Sequence, residues 1–171
     1  MAGVWAIAVL ALALTTGCMP EPEPTPSPTG FASEEEAFAA AEETYRAYVD
    51  ALNQVDLSDP ETFEPVYALT AGEALDAAKS SFTRMSADRW VVGGKSVVTI
   101  VEPAGVNIER REVSLAICVD VSGVTMVDRD GVSQVGSRPP EQSLLAVVAQ
   151  GRGTWAIQSF AGREGEPTCA G

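Results

Sequence analysis

The chain contains no histidine, and among its 171 residues only 11 are lysine or arginine, against 24 aspartate or glutamate. The missing imidazole removes Ser-His-Asp and Cys-His nucleophile systems and every histidine-based metal site. The shortage of basic side chains leaves a net charge of −13. Such a chain repels nucleic-acid phosphates, which require a basic face, so nucleic acid is excluded as a partner. Phosphate cradles are missing too. Neither GxGxxG nor P-loop spacing occurs, and Thr70-Ala71-Gly72-Glu73 sets only a lone glycine near a helix start. The length suits a single domain, and about 150 ordered residues bury roughly two-thirds of their unfolded surface.

What is present begins with an address. The first charged side chain is Glu21, and an apolar run from Val4 to Leu14 precedes Thr15-Thr16-Gly17-Cys18. Eleven helical residues reach about 16 Å, short of a hydrocarbon core of roughly 30 Å. A run of this length suits the apolar region of a secretory signal. A small residue before a cysteine, directly after such a run, resembles a bacterial lipobox. The resemblance implies cleavage before Cys18 and diacylglycerol on its sulfur, with residues 1–17 as signal peptide and no helix left in the membrane. An uncleaved anchor helix over Met1–Pro20 and simple secretion are the alternatives.

Residues 18–30 read as a tether. Five of the twelve residues after Cys18 are proline, at every second position from Pro20 to Pro28. Proline fixes φ and lacks an N–H, so the segment is expected as polyproline II, spanning roughly 37 Å at about 3.1 Å per residue. Residues 31–171 form the folded part. With Glu21 and Glu23 assigned to the tether, it holds 11 basic and 22 acidic residues, a net charge of −11. Charge of that sign keeps it off an anionic lipid surface.

The first half of that part reads as helix. Ser33 and Glu36 form a capping box, followed by Phe38, Ala41, Tyr45, Tyr48, Val49 and Leu52 on one face. Asp59-Pro60 starts a short second helix, and Thr70 with Glu73 is expected to cap a third carrying Leu75, Ala78, Phe82 and Met85. From Trp90 the period falls to two. Val91-Val92, a Gly93-Gly94 turn and a strand from Lys95 to Val101 are followed by a break at Pro103-Ala104-Gly105. The strand from Arg111 to Val121 puts Val113, Leu115, Ile117, Val119 and Val121 on one face, and Glu112, Ser114, Ala116, Cys118 and Asp120 on the other. Two hairpins complete the pattern, 124–127 with 132–135 and 144–149 with 154–160. Three helices followed by about six antiparallel strands make an α+β fold.

This order resembles the nuclear-transport-factor-2-like superfamily, and more narrowly the actinobacterial lipoproteins carrying such a domain. The residues that carry the likeness are the helices before Gly93-Gly94, the strand ending Cys118-Val119-Asp120, Asp130-Gly131, Trp155 and Cys169. The resemblance implies N-terminal helices packed on a curved antiparallel sheet around a pocket covered by the first helix.

With lipid on Cys18, Cys118 and Cys169 remain as an even pair in an oxidising compartment, and a disulfide between them is expected. Asp120 is the one candidate catalytic residue. If its strand face lines the pocket, burial raises its pKa and suits it to act as a general base, with Tyr45, Tyr48 or Tyr67 supplying a phenol. The simpler reading is a structural carboxylate accepting hydrogen bonds at a strand end. Asp128-x-Asp130-Gly131 is better explained as a hairpin turn than as a calcium loop, since the remaining ligands are missing. No metal or cofactor is expected. The pocket candidates are Tyr45, Tyr48, Tyr67, Asp120 and Trp155. The functional expectation is a non-enzymatic, lipid-anchored domain on the outer face of the cell membrane that binds a small apolar ligand or an envelope protein, with homodimerisation a further option. A proton-transfer enzyme of isomerase or cyclase type and a structural accessory subunit are the alternatives.

Overall fold

The computed structural model describes residues 33–151 and 153–169, so the signal segment, Cys18 and the proline-rich tether lie outside the described residues. Among the described residues no helix is long and apolar enough to cross a membrane.

Helix α1 spans Glu34–Leu52 and begins where the capping box places it, with Ser33 Oγ accepting the Glu36 N–H at 3.2 Å. Three glutamates in its first turn complement the positive end of the helix dipole. Ala37, Ala41, Tyr45 and Val49 recur at four-residue steps and are buried. Asp59 Oδ1 accepts the Glu61 N–H and starts a 3-10 turn, Pro60–Phe63, which passes into α2, Glu64–Ala68. The single short helix expected here is thus divided between two helix types.

Helix α3, Gly72–Ala87, departs from its expected cap. Its N-cap is Ala71, with no side-chain hydrogen bond, while Thr70 is buried and donates its hydroxyl to the Val66 carbonyl at 3.0 Å. Tertiary pairing takes this segment instead. Ala71 N donates to Ile157 O at 2.8 Å, and Ile157 N donates to Leu69 O at 2.9 Å, strapping the α2–α3 link to a strand.

The main sheet is antiparallel, in the order β2-β3-β5-β6, with β2 Val97–Asn107, β3 Glu112–Asp120, β5 Glu141–Gly151 and β6 Thr154–Gly162. Strand β2 does not stop at Pro103-Ala104-Gly105 as expected. It continues past a register shift between Pro103 and Gly105, which an edge strand tolerates because no neighbour needs the missing N–H. A separate ribbon pairs β1, Val91–Gly93, with β4, Thr125–Val127. This overturns one local hairpin and shortens another to a single antiparallel bridge. Gly93-Gly94 does not fold β1 onto β2, and β4 meets residues 132–135 only through a single Val127–Ser133 bridge. Gly94 has φ +77°, and a Cβ there would collide with the Gly123 carbonyl, so the ribbon's close approach requires glycine.

The principal core lies between α1 and the main sheet. Val113, Leu115, Ile117 and Val119 all point into it, as strand periodicity requires. The opposite face of β3 is also partly sealed. Ala116 and Cys118 are buried there, and Cys118 is joined by a disulfide to Cys169, with Cα atoms 5.5 Å apart. The tail is held down further by Arg163, whose guanidinium donates to the carbonyls of Gly165 and Pro167 at 2.8 and 2.7 Å. A second core joins Ala51, Leu57, Phe63, Val66, Ala78 and Phe82, where the end of α1 meets α2 and α3.

Candidate functional site

The second core is not completely filled. On the side facing the β1–β4 ribbon it opens into a cavity of about 240 Å³. Leu52, Val55 and Leu57 contribute from the end of α1 and the loop after it, and Phe82 and Met85 from α3. Val92 and Met126 close it from the ribbon, and Val121 and Val124 from the turn between β3 and β4. The wall is therefore mainly apolar, with a few polar groups, the usual make-up of a small-molecule site.

Two polar clamps shape the cavity. Asn53, the residue capping α1, donates Nδ2–H to the Ser96 carbonyl at 2.9 Å and accepts the Ser96 N–H on Oδ1 at 2.8 Å. The pair fastens the helix end to the segment between β1 and β2. Arg138 reaches in from the loop before β5, and its Nη2 donates to the carbonyls of Val121 and Val124 at 3.1 and 3.2 Å. It is the one ionisable residue of the wall.

Asp120 flanks the same turn from outside. Its Oδ1 accepts the Ser122 N–H at 2.8 Å, and hydrogen bonds from the Ser122 hydroxyl and N–H hold its pKa below the ordinary aspartate value. The carboxylate is not buried, so the upward shift that a buried general base would show is replaced by a downward one. Hydrogen bonding at the strand end is what this side chain does in the structure.

The tyrosines fall into two other places. Tyr45 and Tyr48 sit in α1 against Phe160 of β6, with ring centroids 6.4 and 5.3 Å from that residue. Burial pushes both phenols above their usual pKa, and for Tyr45 the neighbouring Tyr48 adds to the rise. Tyr67 stacks with Phe63 and Phe82 at 6.2 and 5.9 Å, and the Lys79 ammonium lies 5.6 Å from its ring centre. Trp155 is half-buried against the principal core. None of Tyr45, Tyr48, Tyr67, Asp120 and Trp155 lines the cavity. Its wall draws instead on segments scattered from Leu52 to Arg138. Sequence periodicity marks Phe82 and Met85 as apolar but carries no signal that Arg138 joins them.

The Asp128–Gly131 loop is a turn built by its own aspartate. Asp128 Oδ1 accepts the N–H groups of Asp130 and Val132, each at 2.9 Å. Among the described residues no group of three or more carboxylates and cysteines is placed to hold a metal.

No protein-family model matches the chain, and no curated protein matches its sequence. Solved structures do resemble its fold. A provisional aromatic ring hydroxylase from Novosphingobium aromaticivorans is 14% identical with a TM-score of 0.53, over 75% of this chain and 88% of that one. The intermembrane-space region of the chloroplast protein ARC6 is 10% identical with a TM-score of 0.52, over 77% and 97%. A protein from Catenulispora acidiphila is 13% identical with a TM-score of 0.50, over 74% and 89%. At these identities the likeness is one of fold: N-terminal helices packed on a curved antiparallel sheet, a cone-shaped α+β domain.

Proposed function

We propose that this chain is a lipid-anchored, extracytoplasmic binding domain that takes a small apolar ligand into the cavity between α3 and the β1–β4 ribbon. The observation that carries the reading is the cavity itself: about 240 Å³ walled mainly by Leu52, Leu57, Phe82, Met85, Val92 and Met126. Apolar volume of this kind repels water and favours an apolar guest. Proton transfer would call for an acid or base at the reacting atom, and no carboxylate or phenol lines this wall. Binding without chemistry is therefore the better reading.

The anchor follows from Gly17-Cys18 after its apolar run, and the proline-rich stalk would hold an acidic domain clear of the lipid. Native mass spectrometry of the full chain extracted from membranes tests both parts. The expected species begins at a lipid-modified Cys18 and carries a small bound molecule, which Val124→Trp displaces by filling the cavity. A chain starting at Met1 without lipid overturns the anchor. The absence of a bound molecule, or one that survives Val124→Trp, overturns the cavity reading.

A further inference from the structure

We propose that the cavity's ligand is a small apolar carboxylate, with its hydrocarbon body among Leu52, Phe82, Met85 and Met126 and its carboxylate on Arg138. This rests on the cavity being a binding site and names the chemistry of its guest. The first support is what the wall's polar groups already do. The Asn53 amide and the Ser96 backbone pair with each other, which leaves Arg138 as the charged group of the wall with hydrogen-bonding capacity to spare, beside the neutral Ser96 hydroxyl. A guanidinium has five N–H donors in a fixed fork. Both hydrogen bonds that Arg138 makes among the described residues leave from Nη2, toward Val121 O and Val124 O, so Nε and Nη1 are not engaged there.

The second support is charge. Acidic residues outnumber basic ones 24 to 11, yet among the described residues the ion pairs are Arg46–Glu42 and Arg129–Asp130, and no carboxylate pairs with Arg138. A half-buried cation beside apolar walls, tethered at one end by carbonyls, lacks the counter-charge that such a site ordinarily supplies. A ligand carboxylate meets that need with charge-assisted hydrogen bonds, whereas an amine is repelled and a neutral guest leaves the cation uncompensated.

Volume limits the remainder of the molecule. Drug-sized pockets run from roughly 300 to 1,000 Å³, and a dry cavity of about 150 Å³ accepts benzene. About 240 Å³ therefore fits one ring with a short side arm, or an acyl chain of few carbons.

The test uses the full chain in neutral phosphatidylcholine nanodiscs, titrated calorimetrically at pH 7 with cinnamate and with cinnamyl alcohol, and corrected with empty discs. The two probes share a body and differ in charge. Cinnamate is expected to bind at least about tenfold more tightly. Arg138→Gln should bring the acid-to-alcohol affinity ratio to about one, whatever it does to the alcohol itself, and Arg138→Lys should keep part of the preference. Should Arg138→Gln fail to fold, the acid-to-alcohol ratio of the unsubstituted chain and of Arg138→Lys still decides the matter. Equal affinities, or tighter alcohol binding, overturn the carboxylate inference and leave the cavity reading standing. A preference that persists in Arg138→Gln also overturns it, since the anion then sits elsewhere. No binding of either probe defeats the inference and the cavity reading together.

Discussion

The domain's two apolar regions are built from the same residue types and end differently. Between α1 and the main sheet, Tyr45, Leu115, Ile117, Val148 and Ile157 are sealed from solvent. Where α3 faces the β1–β4 ribbon, about 240 Å³ stays open. The cause is backbone geometry. A 19-residue helix lying on four long strands lets alternate side chains from each layer interdigitate to native density. A ribbon of two three-residue strands offers too few inward side chains to close the gap to α3, and only Val92 and Met126 reach across from it. The comparison sets a layer closed by long strands against a thin ribbon that leaves a gap.

The largest effect that would sharpen this contrast comes from unfastening the filled region's outer face. Cys169→Ala opens a loop closed over a separation of 51 residues, and the chain-entropy relation gives a loss of about 4 kcal/mol, read by urea unfolding. A comparable loss should follow addition of reductant, with ligand affinity in the cavity unchanged once the protein is refolded in oxidising buffer.

Next in size is truncation within each region. Leu115→Ala removes a fully buried side chain and should cost about 3 kcal/mol. Met126→Ala, on a wall that already borders open space, should cost less than about 1 kcal/mol. Equal losses at the two sites would break the comparison. Enlargement should reverse the ranking. Val148→Leu overpacks a sealed position and is expected to cost about 1–3 kcal/mol. Val124→Leu points into the cavity and should be neutral or slightly stabilising, while weakening binding of an apolar probe.

A smaller effect is confined to alkaline pH. Burial raises the folded-state pKa of Tyr45 and Tyr48 above the ordinary tyrosine value of about 10. The folded protein therefore holds these protons more tightly than the unfolded chain. The stability concerned is complete below about pH 10 and is lost as pH rises above it. Tyr45→Phe should flatten that alkaline decline, measured by thermal unfolding from pH 8 to 11. Smallest of all is the acid counterpart. Hydrogen bonds from Ser122 lower the pKa of Asp120, so its contribution is present above the ordinary aspartate value of about 4 and disappears as pH falls through the folded value. Asp120→Asn should change only the acid limb of the stability curve below about pH 4 and leave ligand affinity unaltered.

Several elements were legible in the chain because their signals are local. Ser33 and Glu36 mark the start of α1, and the alternation from Val113 to Val119 marks β3 and its inward face. The disulfide was readable from the even pair that remains once Cys18 is set aside. Other signals failed because a distant partner outcompeted a near one. Thr70 is a good helix cap on paper, yet its segment is held by Ile157, far along the chain, and its hydroxyl turns to Val66 instead. Gly93-Gly94 looks like a hairpin turn, but Val91 finds Val127 rather than a near neighbour. The phenols of α1 were readable as buried aromatics and not as pointing toward Phe160 of β6.

The sequence by itself determined the α+β order, the amphipathic face of α1 and the inward face of β3, because helix caps and two- or three-to-four-residue periodicities act within a few residues of chain. Only the tertiary structure decided that β1 pairs with β4, that the cavity opens beneath that ribbon, and that Arg138 stands on its wall. Those outcomes depend on residues between Leu52 and Arg138 being brought together by the packing of whole elements. No local spacing encodes how far apart two packed layers will stand.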